Sequence, residues 1–263
     1  MSTENKNRDV HSDQEYLAQV FSFTKVLWNK LSRVEGDYEH IQIGSNDADE
    51  IFKYMVSLSG FNGLPSVVSD KKFNTIKSPV IYRGVDKMAY AQNLLTENNY
   101  HHGKGYANGI FTTNKKNIAL SYTRDINWIE IYLNKLNQTK PVNPDNIISL
   151  KVEKASKIPY QLLEIFAKEI MHGDFNNIEN ETKIKLLNFV NFVYSIENNE
   201  ECLRFLNIFL QDLSKLAIYL GYDCISEPNG VIILNRGKIA VSQSEFDRIK
   251  EVSEKEAETS KQK

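Results

Sequence analysis

From Gln14 to Leu31 the apolar positions Tyr16, Leu17, Val20, Phe21, Phe23, Val26 and Leu27 recur every three or four residues, which predicts an amphipathic helix. Ser45-Asn46-Asp47 offers cap oxygens to a second helix, with Ile51, Phe52, Met55 and Leu58 on one face and Gly60 as its stop. Residues 61–78 are rich in Gly, Pro, Ser and Lys and read as a linker. The pattern then changes period. Val80-Ile81-Tyr82 is a β-branched and aromatic run, a helix is expected from Asp86 to Glu97, and Asn98 to Asn108 reads as a loop. Gly109 to Thr113 reads as a strand, and Asn114 can cap a helix carrying Ile118, Ala119 and Tyr122.

Ile126 to Leu136 is a further periodic stretch, and Ile147 to Val152 alternates as a strand does. Helices are expected over Pro159–His172, Glu181–Ile196 and Glu200–Leu220, the last ending at Gly221. Cys224-Ile225, Val231–Leu234 and Lys238–Val241 read as short strands. The last two are expected to form a hairpin through Asn235-Arg236-Gly237, residue types that accept positive φ. A final helix starts near Ser244. Helices flank the strands without alternating with them one by one, so the fold class is α+β. The expected organisation is a disordered tail over 1–12, an N-terminal helical region over 13–78, a domain over 79–250 with a helical insert at about 159–220, and a second disordered tail over 251–263.

Composition narrows the function classes. The 263 residues carry 32 basic and 34 acidic groups, a net charge of −2, which provides no bulk attraction to nucleic acid or to a membrane surface. The N-terminus lacks the apolar segment of a signal peptide, and no run approaches the ~18 apolar residues of a membrane span, so a cytoplasmic protein is expected, with delivery into a target cell left open. Cys202 and Cys224 have no metal-site or disulfide spacing and read as core thiols. No metal is expected: His101-His102 is the one His pair, and adjacent residues chelate poorly. There is no Walker loop, and GKGYANG departs from the dinucleotide fingerprint.

Four pieces in order carry the chemistry: a strand ending in Tyr82-Arg83-Gly84, a Gly-rich loop running into a strand that ends in Thr112-Thr113, a helix carrying Tyr122, and the late segment VIILNRGKIAVSQSE. They suit a pyrophosphate ligand. A guanidinium supplies bidentate phosphate contacts, glycines let backbone N–H groups approach, and an aromatic ring can stack on a flat heterocycle. Taken singly, each has an ordinary structural explanation.

IYRGV, HHGKGYANGIFTT and IALSYT together resemble the NAD-binding half of the Arg-Ser-Glu ADP-ribosyltransferase superfamily, in its phage- and bacterium-associated group. Gly221-Tyr222-Asp223-Cys224-Ile225 and Val231–Arg236 match that group's GYDAI and V-V-L-N-R elements. The resemblance covers Pro79 to about Glu245, poorly across the helices of 159–216, and residues 1–78 have no counterpart in it.

The resemblance implies a split β-sandwich core and a glycosyltransferase that uses NAD as substrate, in the setting of a toxin, a phage factor or a defence protein. Arg83 contacts the phosphate or ribose side, and the Gly84 backbone meets the nicotinamide amide. Thr112 or Thr113 stands at the serine that orients the catalytic acid, Tyr122 lies beside the nicotinamide, and Gly105, Asn108 and Gly109 shape the phosphate loop. Gln243-Ser244-Glu245 has the Q-x-E form, with Glu245 as catalytic acid and Gln243 favouring acceptors other than Arg. Glu227 is the alternative acid, because some relatives carry theirs just before the strand matching Val231–Leu234. The implied partners are a macromolecular acceptor, protein or nucleic acid, and an inhibitor or antitoxin. The competing reading is a weakened ADP-ribosyltransferase fold that serves as a binding module.

Overall fold

The computed structural model describes residues 10–31, 46–97, 103–104, 107–123, 142–176 and 178–261. The periodic stretch Ile126–Leu136 lies outside them, as do Gly105, His101 and His102.

In chain order the elements begin with α1 (Val10–Leu31), α2 (Asn46–Leu58), β1 (Ser66–Val68), α3 (Asp70–Thr75), β2 (Ile81–Gly84) and α4 (Met88–Thr96). There follow β3 (Gly103–Lys104), β4 (Asn108–Thr113), α5 (Lys116–Ser121), β5 (Ile147–Val152) and β6 (Lys157–Pro159). The chain continues through α6 (Tyr160–His172), α7 (Asn180–Tyr194), α8 (Asn199–Gln211) and α9 (Leu213–Tyr219), and closes with β7 (Cys224–Glu227), β8 (Gly230–Ile233), β9 (Ile239–Ser242) and α10 (Gln243–Lys261). The chain is α+β, and among the described residues no helix is long and apolar enough to cross a membrane.

Two compact units result. The first comprises Met1–Ser59, Lys104–Asn108 and Ile158–Tyr222, so the N-terminal helices and the helical insert form one body. Within it α1 packs on α2 and α7, and α9 packs on α2, α6 and α8. Its core is aromatic: the Phe205 ring lies 5.5 Å from Phe21 and 4.9 Å from Phe209, which lies 5.0 Å from Phe189. Glu200–Leu220 is two helices, not the single one expected. Asp212, with extended backbone (φ −126°, ψ 93°), ends α8 and caps α9 by accepting the Ser214 N–H.

The second unit comprises Gly60–Gly103, Gly109–Lys157 and Asp223–Lys263. Its sheet runs β1-β9-β5-β2-β4-β8-β7, with β1 parallel to β9 and the remaining neighbours antiparallel. One face carries Ile81, Ile110, Ile148, Leu150, Val231 and Ile233 into a core with Met88, Ala91, Leu94 and Ile249 of α4 and α10. Each such side chain removed from water contributes about 1.5–3 kcal/mol.

Three expectations are corrected here. The linker 61–78 contains β1 and α3, elements too short to show a period; Ser69 caps α3 by accepting the Lys72 N–H at 3.3 Å. The expected hairpin of the last two strands does not form. β8 lies between β4 and β7, whereas β9 lies between β1 and β5. A helical turn at Arg236–Lys238 connects them, because the Arg236 guanidinium turns inward, fully buried, onto the carbonyls of Asn62, Gly63, Leu94 and Glu97. The segment from 251, expected to be a disordered tail, continues α10 to Lys261. It is rich in good helix formers, pairs Lys255 with Glu251 at 2.5 Å one turn apart, buries Ser253 and packs Val252 against the core.

Candidate functional site

The strand with Tyr82-Arg83-Gly84 and the strand with Thr112-Thr113 are sheet neighbours, in register at Tyr82–Thr113. The row through this pair runs from Ser149 on β5 through Tyr82 and Thr113 to Gly230 on β8 and Glu227 on β7. Side chains alternate between faces along a strand. Ile81 and Arg83 therefore share the face of Ile148 and Leu150, while Tyr82 and Gly84 share the other with Thr113 and Ser149.

That alternation divides the predicted site residues. Gly84, Thr113 and Tyr122 belong to the face on which α5 packs. A Cβ at Gly84 would stand 2.0 Å from the Ala119 carbonyl oxygen and 3.2 Å from the Tyr122 backbone, so only glycine lets the end of α5 settle on β2. Tyr122 follows directly after α5 with its side chain 55% exposed, open to a flat ligand. Thr113 is buried; its hydroxyl donates to the Asn229 carbonyl at 2.8 Å and accepts the Lys115 N–H at 3.1 Å.

Arg83 and Thr112 belong to the opposite face. The Arg83 side chain is buried, and its guanidinium donates to the Phe111 carbonyl at 3.1 Å, bridging β2 to β4. The Thr112 hydroxyl donates to the Val231 carbonyl at 2.7 Å, tying β4 to β8. Of the two threonines, Thr113 is the one on the Gly84 side.

The predicted acid stands at the edge of β5. Glu245 lies in the first turn of α10; its carboxylate accepts the Ser149 N–H at 2.7 Å and pairs with Arg248 at 2.8 Å. Arg248 also donates to the Asp145 and Ile147 carbonyls, each at 2.6 Å. The hydrogen bond and charge of Glu245 hold the Arg248 guanidinium above its ordinary range, against the opposing effect of burial. Gln243 is exposed and donates to Asp247 at 2.9 Å. Glu227 partners Gly230, itself the partner of Thr113. No side chain fits at Gly230, where a Cβ would stand 2.0 Å from the Thr112 carbonyl oxygen.

Gly109 has φ +145° and an added Cβ would meet Ile232 at 2.5 Å, so this start of β4 requires glycine. Asn108 is fully buried and its amide donates to Asp212 at 2.8 Å, so its side chain is a structural anchor. Gly105 lies outside the described residues. Among those described, no group of three or more His, Cys, Asp or Glu residues is arranged to hold a metal ion.

Sequence reasoning missed the polar residues that fasten this unit together. Asp223 of the GYDCI segment accepts the Ser156 N–H and hydroxyl at 2.8 and 3.0 Å and the Asn235 amide at 2.6 Å. Glu256 accepts the Met88 N–H at 2.8 Å at the start of α4 and the Asn146 amide at 3.2 Å. Lys151 donates to the Phe73 and Ile76 carbonyls at the end of α3. Alternation alone marks Lys151 as polar in a strand, a weak signal; Asp223 stands out only as part of the GYDCI segment, and Glu256 carries none. Compared with protein-family models, with curated proteins and with solved structures, the chain matches none.

Proposed function

We propose that the sheet unit binds NAD and transfers ADP-ribose to a macromolecular acceptor, releasing nicotinamide. The observation that carries this reading is the Tyr82–Thr113 register pair. It joins two motifs distant in the chain, with Gly84 beneath α5 and the Tyr122 ring exposed beside it. In this reading nicotinamide stacks on Tyr122 and its amide meets the Gly84 backbone. The bond from the anomeric carbon to nicotinamide breaks with its electron pair leaving on the ring. A glutamate carboxylate stabilises the oxocarbenium-like sugar and takes the proton of the acceptor group, whether side chain, hydroxyl or base, as that group bonds to the anomeric carbon. The acid role goes to Glu227 in place of Glu245. Glu227 shares the face and the register row of Thr113, two strands, about 10 Å, away, whereas Glu245 stands on α10 at the edge of β5.

The experiment is incubation of labelled NAD with the protein and a cell lysate, comparing wild type with Arg83→Ala, Glu227→Gln and Glu245→Gln. Transfer is expected in wild type, lost in Glu227→Gln, retained in Glu245→Gln and weakened in Arg83→Ala through loss of the guanidinium bridge from β2 to β4 on the face opposite Gly84. Loss in Glu245→Gln with retention in Glu227→Gln would return the acid role to Glu245. A folded wild-type protein that neither transfers the label nor releases nicotinamide overturns the enzymatic reading. NAD binding without transfer then supports the binding module, a reading favoured by the commitment of both threonine hydroxyls to backbone carbonyls.

A further inference from the structure

Asp212 stands at the junction of α8 and α9, 1% exposed. Its carboxylate accepts the Ser214 N–H and hydroxyl, the Lys215 ammonium at 2.5 Å, the Asn108 amide at 2.8 Å and the Asn108 N–H at 3.3 Å. Lys215 and Asn108 are buried as completely as Asp212. Burying such an ion pair is weak support for stability, because desolvation offsets the attraction and apolar residues of like volume serve as well. The arrangement has a further cost: the Asn108 Oδ1 is buried with no hydrogen-bond partner among the described residues. What it does achieve is direction. Asn108 is gripped through backbone and side chain by a single carboxylate, and Lys215 supplies the charge that lets the carboxylate remain ionised there. Asn108 is also the first residue of β4, immediately before Gly109 with its positive φ.

We infer that Asp212 is a positioning residue: it sets Asn108 and so the conformation in which β4 starts and carries Thr113 to the ligand. This inference rests on the reading of the chain as an NAD-binding protein.

The test uses the full chain and three variants. Asp212→Asn with Lys215→Met removes both charges but keeps an acceptor for the Asn108 amide. Asp212→Leu with Lys215→Met removes that acceptor. Asn108→Ala removes the tether from its other end and leaves Asp212 paired with Lys215, so it remains informative if the leucine variant fails to fold. Amide hydrogen exchange over Asn108–Ile110 and the KM and kcat for NAD are measured. In the leucine variant and Asn108→Ala, exchange is expected to rise about tenfold with KM up by a similar factor and kcat little changed, while the Asn/Met variant matches wild type. Unchanged exchange in the folded leucine and alanine variants, or raised exchange with unchanged KM, overturns the inference. Raised exchange in a chain whose wild type binds no NAD leaves the tether standing and sinks the NAD reading instead.

Discussion

Glu245 and Arg248, one turn apart on α10 and 2.8 Å from each other, complete the hydrogen bonding of β5 where β9 no longer runs beside it. β9 pairs with β5 at Lys151 and Val152; beyond, the Ser149 N–H finds the Glu245 carboxylate and the Ile147 carbonyl finds the Arg248 guanidinium. Two side chains take the place of the missing strand. Replacing Glu245 with Ala leaves the Ser149 N–H without its acceptor and takes the carboxylate from the Arg248 guanidinium, which keeps the Asp145 and Ile147 carbonyls. A loss of about 1–3 kcal/mol is expected in urea unfolding, with Glu245→Gln losing less because its amide oxygen still accepts from Ser149. Equal stability of all three proteins would show that β5 does not depend on this cap.

Asp212 makes stability depend on pH on the acid side. Burial pushes its carboxyl upward, but the Lys215 charge and the hydrogen bonds from Lys215, Ser214 and Asn108 prevail and hold it below the ordinary value of 3.8. A carboxyl depressed on folding contributes stability that is full above its unfolded pKa and is lost as pH falls through the folded one. The urea midpoint of wild type is therefore expected to drop below about pH 4, and that of the Asp212→Asn, Lys215→Met variant to drop less. Parallel curves for the two proteins would remove Asp212 as a source of the acid dependence.

Cys224 should be chemically silent in the folded chain. Burial first, and the neighbouring Asp223 charge second, push its thiol up to about 12. A thiol raised on folding stays protonated, and its contribution to stability is full below the unfolded value of 9.0 and eroded as pH rises toward 12. Thiol titration of the native protein near pH 8 should label Cys202 slowly and leave Cys224 unlabelled until denaturant is added. Fast labelling at two sites in native protein would contradict the burial.

Arg236 carries a larger structural load than its place between two short strands suggests. Its buried guanidinium holds the carbonyls of Asn62 and Gly63 together with those of Leu94 and Glu97 at the end of α4. Arg236→Met strands these acceptors and should cost about 3–5 kcal/mol, read as a fall in the denaturation midpoint. A loss below about 1 kcal/mol would mean that water replaces the guanidinium.

Much of the local structure was legible in the chain. The strand expected over Ile147 to Val152 has the bounds of β5, although all its residues but Ser149 are buried, and the apolar period of Gln14–Leu31 falls within α1, because such a period reports which face a helix buries. Short elements were not legible: β1 and α3 together occupy too few residues to establish a period. Nor was the burial of Arg236, since an Asn-Arg-Gly tripeptide reads as a turn until its acceptors, distant in sequence, are known. The Tyr82-Arg83-Gly84 and Thr112-Thr113 motifs were recognised as segments, yet alternation put Arg83 and Thr112 on one face and Gly84 and Thr113 on the other.

By itself, then, the sequence determined most of the longer elements, the α+β class and the motif set, all of which depend on residues within a few positions of one another. Only the tertiary structure decided neighbours. It separated β8 from β9, put α1 against α7, tied Asn108 to Asp212 and engaged Glu245 at the edge of β5. Pairing of this kind is set by burial and hydrogen-bond satisfaction between segments far apart in the chain, and no local period records it.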